Sequence, residues 1–217
     1  MNTVRLYGYF RSSAAFRVRI ALNLKGLPFE SSFIHLVKND QRAPDYLALN
    51  PEGLVPTLEA DGLHLSQSLA ILEYLDETHP EPPLLPRRPA DRARVRSLAL
   101  VVACDIHPIN NLRVLRYLSR ELATEKARID QWYRHWCDVG LDALESRLST
   151  DRATGRFCHG DIPSMADICL VPQIFNAERY DKDTLTSRPT LARIFANCMA
   201  LPAFDLAQPT KQPDAEP

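Results

Sequence analysis

Two adjacent serines, Ser12 and Ser13, stand between a short apolar run (Val4, Leu6, Tyr7) and a stretch with helical spacing (Phe16, Val18, Ile20, Ala21, Leu24). A strand that turns through hydroxyl residues into a helix builds a definite kind of site. The first backbone N–H groups of a helix have no partner within it, and the helix dipole puts its positive end there. Such a place holds an anion, and a thiol brought to it is held as thiolate. The competing role for a serine here is the helix N-cap, which serine fills very often; with two serines, one can do each job. Gln67-Ser68 opens a second helical stretch in the same manner. Further along, His107 and Asn111 are four apart in a predicted helix and so share a face, with Arg113 beside them. Arg11 and Arg113 are candidates for binding carboxylates through the two-pronged guanidinium fork. His35, His64, His79, His135 and His159 show no metal-ligand spacing with Cys or carboxylates, and no metal site is expected.

The elements that must position these residues read as two kinds of structure. Val4–Tyr9 is a strand, Ala14–Lys25 a helix closed by Gly26, and Phe29–Leu36 a strand. After a short helix or loop at Pro44–Leu49, strands at Thr57–Ala60 and Leu63–Leu65 flank Asp61-Gly62, a two-residue hairpin signal. A helix over Gln67–Glu77 follows. Residues 1–80 are thus an α/β unit of order βαβ then αββα. Five prolines (Pro80, Pro82, Pro83, Pro86, Pro89) then mark a linker at 81–90. From 91 to 217 the pattern is all-helical, with Cys104 expected in a bundle core, a long amphipathic helix over Glu125–Leu148 weakened at Gly140, and a tail from Gln208 expected to fray. Trp132, Tyr133 and Trp136 read as helix packing.

A formal net charge of −1 provides no basic field, which argues against nucleic acid. No apolar run approaches the roughly 18 residues of a membrane span, and no signal-peptide core is evident. Five scattered cysteines without a CxxC pair fit a reduced, cytoplasmic setting.

An N-terminal α/β unit joined through prolines to a helical unit resembles the soluble glutathione transferases. Val55-Pro56, Gln67-Ser68 and the capping box Ser164-Met165-Ala166-Asp167 carry this likeness. The narrower resemblance is to the zeta class, which includes maleylacetoacetate and maleylpyruvate isomerases. It rests on Tyr9-Phe10-Arg11-Ser12-Ser13, Arg17-Val18-Arg19-Ile20-Ala21-Leu22, Leu49-Asn50-Pro51, Gln67-Ser68-Leu69-Ala70-Ile71 and the run from Asp105 to Arg113. Ala14 stands where the zeta motif commonly has Cys, so that cysteine is not essential to any activity of this chain; Phe16 stands in place of the motif's Trp.

The resemblance implies a glutathione transferase fold, a thioredoxin-like domain followed by an all-α domain. Glutathione is the implied cofactor. Its thiolate would be met by Ser12 or Ser13, with Ser12 preferred. The cysteinyl backbone would pair with Val55 before a cis Pro56, and the γ-glutamyl end would lie at Gln67 and Ser68. Arg17, Gln41, His107, Asn111 and Arg113 are further cofactor candidates. Arg11, Arg113 and Arg179 are the implied partners of a diketo dicarboxylate, and His107 is a candidate for proton handling. The implied reaction is glutathione-dependent cis–trans isomerisation of maleylacetoacetate in tyrosine catabolism by a homodimer. The alternatives are maleylpyruvate as substrate, transfer to α-halo acids, or a non-catalytic binding module.

Overall fold

The computed structural model describes residues 4–216. These fall into two compact units: the residues up to Leu84 together with those from Ala200 onward, and Leu85–Met199.

The first unit runs β1 (Val4–Gly8), α1 (Ser13–Leu24), β2 (Phe29–Phe33), a 3-10 turn (Asp40–Arg42), α2 (Pro44–Leu49), β3 (Thr57–Ala60), β4 (Leu63–Ser66) and α3 (Ser68–Thr78). The sheet order is β2-β1-β3-β4. The α1 crossover makes β1 and β2 parallel, while β3 runs antiparallel to both β1 and β4. Asp61 and Gly62 both have positive φ, 52° and 78°, the twist that a two-residue hairpin requires. Against this sheet α1 is buried almost all round, and its buried set includes Arg17 and Arg19 as well as Phe16, Val18, Ile20 and Leu22. Its partner α3 buries Ile71, Leu72 and Leu75. Each such side chain removed from water contributes about 1.5–3 kcal/mol.

The proline-rich stretch is anchored. Lys25 Nζ bonds Asp76 Oδ1 at 2.8 Å and donates to the Pro82 carbonyl at 2.6 Å. Asp76 also accepts the Leu84 N–H at 2.6 Å. Its last proline is not linker at all. Pro89 is the first residue of α4 (Pro89–Leu100), where a missing N–H costs nothing.

The second unit continues through a π-helical segment at Val101–Ile106, α5 (Leu112–Arg120), α6 (Lys126–Thr150), α7 (Met165–Ala177) and α8 (Pro189–Met199). The expectation of one helix carrying His107, Asn111 and Arg113 is corrected here. The helix widens to π pitch, ends at His107 in turns, and restarts with Asn111 as the N-cap of α5. Cys104 is likewise turned to solvent rather than into a core. Gly140 does not interrupt α6. It lets the π segment approach, since a Cβ at Gly140 would lie 2.3 Å from Ile106 Cδ1. The expected capping box is present at α7, where Asp167 Oδ2 accepts from both the Ser164 N–H and Oγ at 2.8 Å.

The tail departs from expectation. After α9 (Pro202–Asp205) and a 3-10 turn at Pro209–Lys211, the chain belongs to the first unit. Arg19 Nε donates to the Ala207 carbonyl and Asp214 Oδ2 accepts the Phe10 N–H, both at 3.0 Å. Polar composition suggested fraying; long-range bonds to α1 and its preceding loop hold the segment instead. Among the described residues no helix is long and apolar enough to cross a membrane.

Gly140→Ala is expected to lower unfolding free energy by about 1–3 kcal/mol through this overlap. Urea denaturation measures it, and pairing the change with Ile106→Ala should recover part of the loss.

Candidate functional site

The loop between β1 and α1 is shaped by its own hydrogen bonds. The Ser12 N–H donates to the Tyr9 carbonyl at 2.9 Å, and the Phe16 N–H to the Ser12 carbonyl at 2.8 Å. Ser12 is the N-cap, with φ −70° and ψ 116°, and its Oγ accepts the Ala15 N–H at 3.2 Å. That bond uses a lone pair and leaves the hydroxyl proton to donate elsewhere. Ser13 is buried within the first turn, whereas Ser12 keeps partial exposure. Capping therefore leaves Ser12 able to donate as well. Arg11 is exposed just before it, its guanidinium 5.5 Å from the Phe10 ring centre.

The N-terminus of α3 forms the other half of this unit's polar surface. Arg17 Nη1 donates to Ser68 Oγ at 3.2 Å. As Ser68 thereby spends a lone pair on a cation, its own O–H is free to donate outward. Arg17 Nε and Nη2 are buried without a protein partner, and so is Gln41 Oε1. A buried polar group left unpaired costs about 1–3 kcal/mol, so the two free Arg17 nitrogens favour an acceptor or anion and Gln41 Oε1 favours a donor. Gln67 precedes Ser68 at φ 66° and donates through Nε2 to Glu52 Oε2 at 2.8 Å. Val55–Pro56 is a cis peptide. Val55 lies two residues before the first paired residue of β3, Thr57, which faces Tyr7 and Ser66. The carbonyl of Leu54 accepts from Tyr46 and Asn50, which fixes the approach to that bend.

In the second unit Asn111 Oδ1 accepts the Arg113 N–H at 3.1 Å, so the side chain caps α5. Asn111 Nδ2 lies 3.5 Å from His107 Nε2. An amide nitrogen only donates, so in this contact the ring nitrogen is the acceptor. Arg113 is exposed on the first turn of α5. Arg179 is exposed just past α7, with Nη1 3.3 Å from Asn176 Oδ1.

Two residues escaped the sequence reading. Asn110 is the buried member of the Asn-Asn pair: Nδ2 donates to the Tyr133 carbonyl at 3.3 Å and Oδ1 is unpartnered. Its neighbour Tyr133 stacks on Tyr180 at 3.8 Å. Helical spacing favoured Asn111, and only the π segment turns Asn110 inward. Glu52 carried no signal at all, because its partner Gln67 is fifteen residues away.

A mixed four-stranded sheet with a cis-proline bend before β3 and two polar helix N-termini defines a thioredoxin-like fold. Residues 2–77 match the family model "Glutathione S-transferase, N-terminal domain", and residues 139–197 match "Glutathione S-transferase, C-terminal domain". A "probable maleylacetoacetate isomerase" of Vibrio cholerae is 51% identical, covering 99% of this chain and all of that one. Among solved structures, a holo maleylpyruvate isomerase described as a bacterial zeta-class glutathione S-transferase has TM-score 0.95 at 45% identity, covering 98% of this chain and 100% of the other. A maleylacetoacetate isomerase from Methylobacterium extorquens AM1, bound to malonate and GSH, has TM-score 0.94 at 47% identity with the same coverage. The chain belongs to the glutathione S-transferase family, and within it to the zeta class.

The thiols yield a direct test of the geometry. Burial pushes Cys137 up to about 12 and raises Cys158 and Cys198 as well. At pH 8 a thiol reagent should label Cys104 alone in the folded protein, and all five cysteines in denaturant. Peptide mass mapping reads the result; rapid labelling of Cys137 before unfolding would contradict the packing.

Proposed function

We propose that this protein is a glutathione-dependent cis–trans isomerase acting on maleylacetoacetate. The observation that carries the reading is the Ser12 hydroxyl, which caps α1 with a lone pair and retains its proton for a thiolate. Glutathione fits the residues present. It has a thiol for the α1 N-terminus, a peptide edge for Val55 and a carboxylate for Ser68, behind which the buried Arg17 has unpartnered donors. When bound, glutathione supplies the nucleophile, which Ala14 and its neighbours do not.

The chemistry is addition, rotation and elimination. The thiolate sulfur adds to one carbon of the cis double bond, and that bond's electron pair moves into the adjacent carbonyl to form an enolate. The former double bond is now single and rotates. Collapse of the enolate re-forms the alkene as trans and expels the thiolate, so glutathione is recovered. The chain must hold the thiolate, bind carboxylates at the ends of the substrate, and stabilise the enolate. Ser12 and the α1 amides serve the first need. Arg11 beside them, with Arg113 and Arg179 from the second unit, is assigned to carboxylates. His107 is assigned to glutathione contact or proton handling, and Asn111 to fixing its ring. Gln41, Gln67 and Val55 complete the cofactor set. Resemblance further supports a cytoplasmic homodimer working in tyrosine catabolism. Maleylpyruvate is the second reading, since the 45%-identical solved relative is described as an isomerase of that compound.

Turnover of maleylacetoacetate and of maleylpyruvate, followed by ultraviolet decay with and without glutathione, decides this. Glutathione-dependent decay of either is expected, and the ratio of kcat/KM names the substrate; no acceleration would end the isomerase reading. Arg11→Ala should raise substrate KM roughly tenfold while leaving glutathione affinity within about twofold, the loss expected for one charged hydrogen-bond partner.

Ser12→Ala should return the bound thiol toward its ordinary pKa near 8.5 and cost about 1 kcal/mol of stability with the lost cap. Ser13→Ala should leave the thiol pKa in place. Thiolate absorbance of the complex against pH measures both, and the reverse pattern would assign the role to Ser13.

A further inference from the structure

We propose that Glu52 receives the α-ammonium of the γ-glutamyl group, so that the α3 end of the site recognises a zwitterion and not a carboxylate alone. The proposal rests on the glutathione reading of this same site.

Glu52 is an exposed carboxylate held in a fixed place. Its N–H donates to Asn50 Oδ1 at 3.1 Å. Asn50 is buried and is itself pinned, with Nδ2 donating to the Leu54 carbonyl at 3.0 Å and to Thr57 Oγ1 at 3.1 Å. Gly53, at φ 60°, lets the chain turn immediately after it. On the far side Glu52 Oε2 accepts from Gln67 Nε2 at 2.8 Å, and Oε1 accepts from Ser66 Oγ at 3.3 Å. The carboxylate therefore reaches the last residue of β4 and the residue that enters α3.

The chemistry of the donors then sorts the site into two halves. A carboxylate only accepts, so the Gln67 amide must turn its nitrogen to Glu52 and its oxygen away. Glu52 and the Gln67 carbonyl oxygen make a pair of acceptors bearing one negative charge. The next residue, Ser68, has the opposite character. Its Oγ accepts from the Arg17 guanidinium, leaving its O–H to donate from beside the positive end of α3. Acceptors on residues 52 and 67 and a donor at 68 are what an α-amino acid head requires. Its ammonium and carboxylate leave a single carbon, and both are satisfied at once. A ligand with the carboxylate but no ammonium would leave Glu52 facing an uncharged group.

The test compares glutathione with N-glutaryl-cysteinylglycine, which keeps the thiol, the peptide and the terminal carboxylates but lacks the amino group. Binding of each is measured by calorimetry to the wild-type protein and to Glu52→Gln, which keeps the hydrogen bond to Gln67 without the charge. Glu52→Ala serves as a second variant, and urea midpoints confirm that both are folded. Wild-type protein should bind glutathione about tenfold more tightly than the analogue, the scale of one charge-assisted pair. Both variants should bring that ratio toward one by weakening glutathione alone, with the analogue's Kd unchanged within about twofold. A ratio that survives in the variants overturns the proposal. So does an equal loss for both ligands, which would make Glu52 a support for its loop. Equal wild-type affinity for the two ligands removes the ammonium role and leaves the glutathione site standing. Wild-type protein that binds neither ends the glutathione reading, and this proposal with it.

Discussion

Two guanidinium groups buried on one helix tie the loop before α1, the start of α3 and the C-terminal segment together. Arg17 and Arg19 are both nearly inaccessible on α1. Removing a charge from water costs several kcal/mol unless hydrogen bonds replace the lost hydration. Arg19 meets this by donating to the carbonyls of Phe10 and Ala207, each at 3.0 Å. Burial lowers its pKa to about 10, which still leaves it charged at neutral pH. The price of the charge is thus a fixed loop before α1 and a fixed C-terminal segment behind it. Arg17 reaches α3 through Ser68 Oγ while its Nε and Nη2 stay unpartnered. The two helix N-termini that carry the polar chemistry are tied to one helix interior.

That arrangement explains how small residues can serve a demanding reaction. Ser12 spends a lone pair on the Ala15 N–H and keeps its hydroxyl proton to donate. Ser68 accepts from Arg17 in the same way. Each serine's oxygen is held in place by the bond that it accepts. The chain places no cysteine at α1, and burial raises the thiols of Cys137, Cys158 and Cys198.

The second unit follows a different logic. There a helix is widened, not capped, to shape the polar stretch. The π segment at Val101–Ile106 turns Cys104 outward, turns Asn110 inward against Tyr133, and ends at His107. It packs as closely as it does because α6 has no side chain at Gly140. A glycine that looks like a weakness in a helix taken alone is a packing requirement between two.

The sequence by itself determined what depends on neighbours along the chain. Periodicity located the βαβ and αββα order, and Asp61-Gly62 marked the hairpin. Ser12-Ser13 and Gln67-Ser68 marked two polar helix starts. The zeta-class resemblance supplied the ligand. Each signal lies within one or two helical turns, where backbone sterics and local hydrogen bonds act. Tertiary structure decided the rest, because it depends on which distant groups meet. Nothing local says that Asp214 will accept the Phe10 N–H, that the tail will be held by Arg19, or that Pro89 will open a helix. Nothing local pairs Glu52 with Gln67 or assigns the free hydroxyl proton to Ser12. A hydrogen bond fixes an atom's remaining capacity only once its partner is known, and these partners are brought together by burial of the apolar core.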